Sequence, residues 1–155
     1  MKLGMVQFAA GASILQRATY FAHKRLGAPV IGLGAILPKL THFGEALRCM
    51  DGMENLVTTT GHGGTVYMIV ETARKVLAET SIESHGKIGV IGGAGSIGWS
   101  STVAVLEMIP GHRVHAHDID AERLWGLVMN YCGGEHITVR ETAAEVLRDT
   151  DIILT

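Results

Sequence analysis

Two glycine-bearing loops hold the residues of this chain whose types and spacing could do chemistry. The first is Gly93-x-Gly95-x-x-Gly98, inside Lys-Ile-Gly-Val-Ile-Gly-Gly-Ala-Gly-Ser-Ile-Gly at 87–98. Glycines so spaced let a backbone approach an anion. Gly93 would permit the tight turn, Gly95 would leave space for a diphosphate, and Gly98 would let the next helix pack close. The amides around Ser96 and Ile97 would then face phosphate at the favourable end of the helix dipole. Asp118 stands twenty positions beyond Gly98. A carboxylate there accepts from ribose hydroxyls and repels a 2′-phosphate, which favours NAD over NADP. The second loop is Thr58-Thr59-Thr60-Gly61-His62-Gly63-Gly64-Thr65. Its hydroxyls and permissive glycines before a helix start could bind an anion or polarise a carbonyl. His62 could donate a proton near neutral pH. The same residues also suit a plain strand–helix turn with threonine caps, and both readings stay open.

These residues need particular elements to place them. The apolar run Ile88 to Ile91 predicts a strand over 87–92, and the pattern after Gly98 predicts a helix over 96–108 that stops near Pro110-Gly111. A second strand is expected at 113–117, a helix at 120–131, a third short strand at 136–139, a helix at 141–147 and a fourth strand at 151–154. Strand–helix alternation implies a parallel sheet. Upstream, 5–26 reads as a helix with Met5, Phe8, Ile14, Leu15, Ala18, Phe21 and Leu26 on one broad face. Gly27-Ala28-Pro29 ends it. Val30 to Leu33 is a strand candidate, and Gly34 to Pro38 reads as a loop. Thr41 could cap a helix through Met50. Leu56 to Thr60 is β-branched and strand-like, and a long helix follows from about Thr65 to Glu79 with Val66, Ile69, Val70, Ala73, Val76 and Leu77 inward. The polar joint at 81–86 divides the chain. The expectation is an α/β protein: a small α/β N-terminal segment over 1–82, then a Rossmann-like parallel sheet of about four strands over 83–155. A full doubly wound domain carries more strands, so a partial domain, or one completed by homo-oligomerisation, is expected.

Other candidates carry less. His115 and His117 share a strand face, with His112 nearby, but no carboxylate or cysteine stands at matching spacing, so no metal is expected. Arg123 could meet a 2′-phosphate, though a solvated helix arginine fits as well. Trp99 and Trp125 sit at helical positions and are expected to pack. Cys49 and Cys132 make no disulfide framework and read as buried thiols of a cytoplasmic protein. A net charge of −2 gives no electrostatic argument for nucleic acid. No long uncharged apolar run suggests an integral membrane segment, and the N-terminus lacks the order of a signal peptide.

The combined pattern is more specific than any one motif. Gly32-Leu-Gly-Ala35, Thr41-His-Phe-Gly44, Thr59-Thr-Gly-His62, a long helix and Gly92-Gly-Ala-Gly-Ser-Ile-Gly98 follow in order. This resembles the cyanobacterial-type long-chain fatty acyl-[acyl-carrier-protein] reductases and their bacterial relatives, from about Val30 onward. The resemblance implies hydride transfer from a nicotinamide cofactor to an acyl thioester borne by a carrier protein, releasing an aldehyde. It places Gly93, Gly95, Ser96, Ile97 and Gly98 at the cofactor and Thr59, Thr60 and Gly61 in a substrate cleft. Three departures stand out. The family's acyl-enzyme cysteine belongs to a later part of the catalytic domain, and neither Cys49 nor Cys132 matches it. The family generally uses NADPH, against the reading from Asp118. Its extended N-terminal region is shortened here. A looser likeness to shikimate dehydrogenase implies plain carbonyl reduction, but its Lys-Asp pair has no clear match. A non-catalytic nucleotide-binding or assembly module is the remaining alternative.

Overall fold

The computed structural model describes residues 5–80, 82 and 85–155. Ser81, Glu83 and Ser84 of the expected joint lie outside the described residues. The chain divides into two compact units, with the boundary in sequence between His62 and Gly63.

The first unit starts with α1 (Met5–Leu26) and β1 (Val30–Gly32). Two single-turn helices follow, α2 (Leu37–Leu40) and α3 (Glu45–Arg48), and then β2 (Val57–Thr59). β1 and β2 pair in parallel, Ile31 opposite Thr58. Leu33, Leu47, Met53 and Leu56 make its small core. Each such side chain contributes about 1.5–3 kcal/mol on full burial. The helix expected from Thr41 to Met50 is broken. Thr41 closes α2 instead, donating its hydroxyl to Leu37 O (3.1 Å) and accepting from Gly44 N (3.1 Å). His42, Phe43 and Gly44 then all have positive φ (47°, 60° and 97°). Gly44 seats its bare Cα on Thr58, whose Cβ would lie 2.7 Å from an added methyl. A side chain there would collide with β2, so the chain turns on glycine.

The broad apolar face of α1 is not the face it buries. Ile14, Ala18, Phe21 and Leu26 are exposed, while Thr19 is buried beside half-buried Gly11, Leu15 and Ala22. Apolar residues occur all round this helix, so their period does not choose a face. Small residues do: a Cβ on Gly11 would lie 3.3 Å from Leu40 Cδ1.

The second unit contains α4 (His62–Glu79) from Gly63 onward. β3 (Lys87–Ile91), α5 (Ser96–Met108), β4 (Arg113–His117), α6 (Ala121–Met129), β5 (Ile137–Val139), α7 (Ala143–Asp149) and β6 (Ile152–Leu154) follow. All four strands are parallel, in the spatial order β5-β4-β3-β6. The strand met first in sequence is central, and the order reverses between β3 and β6. This is the 3-2-1-4 arrangement of a Rossmann-like sheet. Val70 and Ala73 of α4, Val105 of α5, and Leu124 and Val128 of α6 share one core with Ile88, Val90, Val114 and Ala116. Strand alternation sends Gly89 and His115 to the opposite face, where α7 packs. A Cβ on Gly89 would lie 2.6 Å from Val146 Cγ1, so α7 sits directly on the β3 backbone. Asp120 caps α6 by accepting from Arg123 N (3.1 Å), and Thr142 caps α7 by accepting from Glu145 N (3.2 Å).

Two packing expectations fail. Trp125 is exposed on α6, because the inward row of that helix is taken by Leu124 and Val128. Both cysteines are exposed, since each follows a helix end rather than lying on a core face. Among the described residues, no helix is long and apolar enough to cross a membrane.

Candidate functional site

The glycine-rich turn leaves the carboxyl end of β3 beside the point where strand order reverses. In open α/β sheets this edge is where ligands bind. Its shape is set by backbone contacts. Gly92, not Gly93, takes the left-handed conformation (φ 87°) that starts the turn. Gly93 serves close packing: an added Cβ would lie 3.3 Å from both Ala116 Cβ and Leu124 Cδ1. Gly95 is the N-cap of α5, extended (φ −69°, ψ 159°) and exposed. A Cβ there would crowd Gly92 O at 3.1 Å. Gly98 cannot carry a side chain without movement. Its Cβ would overlap Gly92 O and come within 2.8 Å of Gly92 C. Helix α5 therefore starts pressed against bare backbone.

The strand β4 terminus holds this turn in place. His117 O accepts from both Gly92 N (2.9 Å) and Gly93 N (3.0 Å). The next turn amide, Ala94 N, donates to Asp118 Oδ2 (2.9 Å). Asp118 Oδ1 accepts from Asp120 N (2.9 Å). Gly95 N returns to Gly92 O (3.0 Å), and Trp99 N makes the first turn-spanning bond of α5, to Gly95 O (2.9 Å). Amides in the first turn of a helix have no intrahelical acceptor. The turn thus directs the α5 start, with Ser96, Ile97 and Gly98, toward the same edge of the sheet as Asp118. An anion is the ligand such an arrangement suits.

This unit also carries cavities beside β6 and along its helices. One, of about 630 Å³, lies at the carboxyl end of β6, with Met68, Ile69, Ile153 and Leu154 as apolar walls and Thr65 and Thr72 as hydroxyls. The other, of about 500 Å³, lies between α5 and α6. Trp99, Arg123, Asn130 and Tyr131 line it. Trp99 meets Tyr131 edge-on at 5.8 Å. Arg123 therefore lies between two helices as well as against solvent.

The Thr59–His62 loop belongs to the first unit. Thr59 O accepts from Leu33 N (2.7 Å), which ties the end of β2 to the residue after β1. Thr59 Oγ1 accepts from Gly61 N (3.3 Å), and Thr60 Oγ1 accepts from His62 N (3.3 Å). The hydroxyls thus shape the entry to α4, which begins at His62, three residues before the expected start.

The strand histidines have protein partners. Arg140 donates to His115 Nδ1 from Nε (3.3 Å) and lies 3.2 Å away at Nη2. Arginine has only donors, so the neutral ring carries its proton on Nε2. Burial, reinforced by Arg140 and then Lys87, pushes the His115 pKa below its ordinary value. His117 Nδ1 is 3.2 Å from Arg140 O, a carbonyl, so it donates. Arg140 also pairs with Asp149 at 3.1 Å. Among the described residues, no group of three or more His, Cys, Asp or Glu side chains is placed to hold a metal ion.

Sequence reasoning missed two features of this site: the role of Gly92 and the double acceptance by His117 O. The tandem Gly92-Gly93 ahead of the motif was the available signal for the first. Nothing in the sequence marks a carbonyl. Comparison of the chain with protein-family models and with curated proteins finds no match.

Proposed function

We propose that this chain is an NAD(P)-dependent oxidoreductase whose dinucleotide lies against the Gly92–Gly98 turn. The observation that carries this reading is the seating of α5 on the bare backbone of Gly92 and Gly93. That contact turns the helix start toward the carboxyl edge of the sheet at its switch point. The residues fit a diphosphate: Gly95 is exposed at the helix start and brings no side chain between backbone and ligand. The dinucleotide, when bound, supplies or accepts the hydride. Gly93 and Gly95 would keep the backbone accessible, the amides of Ser96, Ile97 and Gly98 would orient the diphosphate, and Asp118 would accept from a ribose hydroxyl. NAD(H) is the favoured cofactor because the Asp118 carboxylate repels a 2′-phosphate.

The substrate class rests on the sequence resemblance: a fatty acyl thioester on a carrier protein, reduced to an aldehyde. The largely apolar cavity at β6 is compatible with such a chain. The same resemblance assigns Thr59, Thr60 and Gly61 to substrate contact, and the His62 imidazole beside them could act as proton donor. The protein would act in the cytoplasm as a homo-oligomer. Fluorescence titration with NADH and NADPH tests the cofactor reading. Saturable binding that Gly95→Val abolishes is expected, and no binding of either nucleotide refutes it.

A second reading is a nucleotide-binding module without turnover. It is favoured by the position of Cys132. That thiol follows α6, at the end of the sheet opposite the glycine turn, so it is not placed to form an acyl-enzyme there. Aldehyde formation from acyl-carrier-protein or coenzyme A thioesters decides between the two.

A further inference from the structure

We propose that Asp118 is a positioning residue that locks the glycine turn, and that this lock makes its discrimination against a 2′-phosphate rigid. The inference rests on the dinucleotide reading above and adds to it how the carboxylate acts. A ribose-binding acid is ordinarily considered as a free acceptor facing ligand. Here both oxygens already accept protein amides. Oδ2 accepts from Ala94 N, in the middle of the turn, and Oδ1 accepts from Asp120 N, at the entry to α6. Each oxygen of a carboxylate has capacity for a second donor, so a ribose hydroxyl can join without displacing either amide.

The consequences are geometric. Together with His117 O, the Asp118 carboxylate holds three consecutive turn amides, those of Gly92, Gly93 and Ala94. Gly95 follows directly and starts α5. A change at Ala94 is passed through one peptide to the backbone that meets the diphosphate. Asp118 thus acts on the diphosphate end of the ligand through Ala94 as well as on the ribose. The carboxylate also cannot swing aside to admit a second phosphate. Rotation about its side-chain bonds would strip acceptors from Ala94 and Asp120 together, and Asp120 is itself the cap of α6. Arg123, five residues on, is exposed and lines the cavity between α5 and α6.

The test uses the whole chain as wild type, Asp118→Asn and Asp118→Ala. Amide exchange is read residue by residue by NMR, and NADH and NADPH affinities are read by fluorescence. In wild type, Ala94 and Asp120 amides should be protected, and NADH should bind at least tenfold tighter than NADPH. In Asp118→Ala, protection at Ala94 should fall about tenfold to a hundredfold, the size of one hydrogen bond to a charged acceptor, while Val90 and Ala116 in the strands keep theirs. NADH affinity should fall at least tenfold, and NADPH affinity should fall by a smaller factor, since it loses the turn geometry but also loses the repulsion. Asp118→Asn keeps one acceptor oxygen and should fall between the two. Unchanged Ala94 exchange in Asp118→Ala would overturn the lock. Equal losses for both nucleotides would overturn the rigid discrimination. If wild type binds neither nucleotide, the functional reading falls with the discrimination, and the Ala94 amide still decides the lock.

Discussion

Replacing Gly98 by alanine tests the contact on which the site is built. In a helix, alanine for glycine ordinarily gains about 0.5–1 kcal/mol from reduced chain entropy. At Gly98 the new methyl would overlap Gly92 O and lie 2.8 Å from Gly92 C and 3.2 Å from Gly93 Cα. All three are backbone atoms, so no side-chain rotation relieves the clash. Overpacking of this kind costs about 1–3 kcal/mol, and it outweighs the propensity gain. Gly126 supplies the control. It lies inside α6 with nothing within 4 Å of an added Cβ, so alanine there should stabilise by about 0.5–1 kcal/mol. The propensity gain is common to both, so the two variants should differ by about 1–3 kcal/mol, the cost of the overpacking, in opposite directions from wild type. Urea unfolding followed by far-ultraviolet circular dichroism reads this as a midpoint shift at constant slope. Equal midpoints for Gly98→Ala and Gly126→Ala, or a Gly98→Ala protein as stable as wild type, would refute the close seating of α5.

Three further outcomes are expected. Gly89→Ala should destabilise by about 1–3 kcal/mol because its methyl meets Val146 and Thr150; Val146→Ala in the same chain should recover part of that loss, and simple additivity in a double-mutant cycle would argue against the contact. His115 has a lowered pKa in the folded state, so the unfolded state binds more protons in the window just below the ordinary imidazole value. Stability should be flat in this group above that window and fall as pH drops through it; His115→Asn should flatten the slope in urea midpoints measured across it. Thr142→Ala removes the acceptor for Glu145 N and should cost about 1 kcal/mol, visible in the same midpoints.

The second unit was legible in the sequence because two signals agreed there. Strand runs such as Ile88–Ile91 are short, apolar and bounded by glycine, and α5 follows at helical length. Every strand and helix from Lys87 onward falls within a few residues of its expected place. The parallel direction of the strands followed from alternation alone. The first unit was less legible. Leu37-Pro38-Lys39-Leu40 is too short to show a helical period, and its proline reads as a loop signal. Thr41 looked like a helix cap but closes the preceding turn, because three left-handed residues follow it, two of them non-glycine. In α1 the abundance of apolar residues concealed which row is inward. At the site, spacing identified Gly93, Gly95, Gly98 and Asp118 as a group. It could not assign their contacts, because which carbonyl meets which amide depends on how β4 lies beside β3.

The double acceptance at His117 O also fixes an order of assembly. Gly92 and Gly93 have their hydrogen-bond acceptor twenty-five and twenty-four residues downstream, so these two amides lack it while β3 and α5 stand alone. During synthesis the acceptors for Gly92, Gly93 and Ala94 are missing until the chain through Asp118 has been made. Residues 87–118 would then be the shortest stretch able to close the bend, and β5, α7 and β6 would add support to a bend already set. A nascent chain halted before His117 would present the complete glycine motif and still lack the acceptors that shape it.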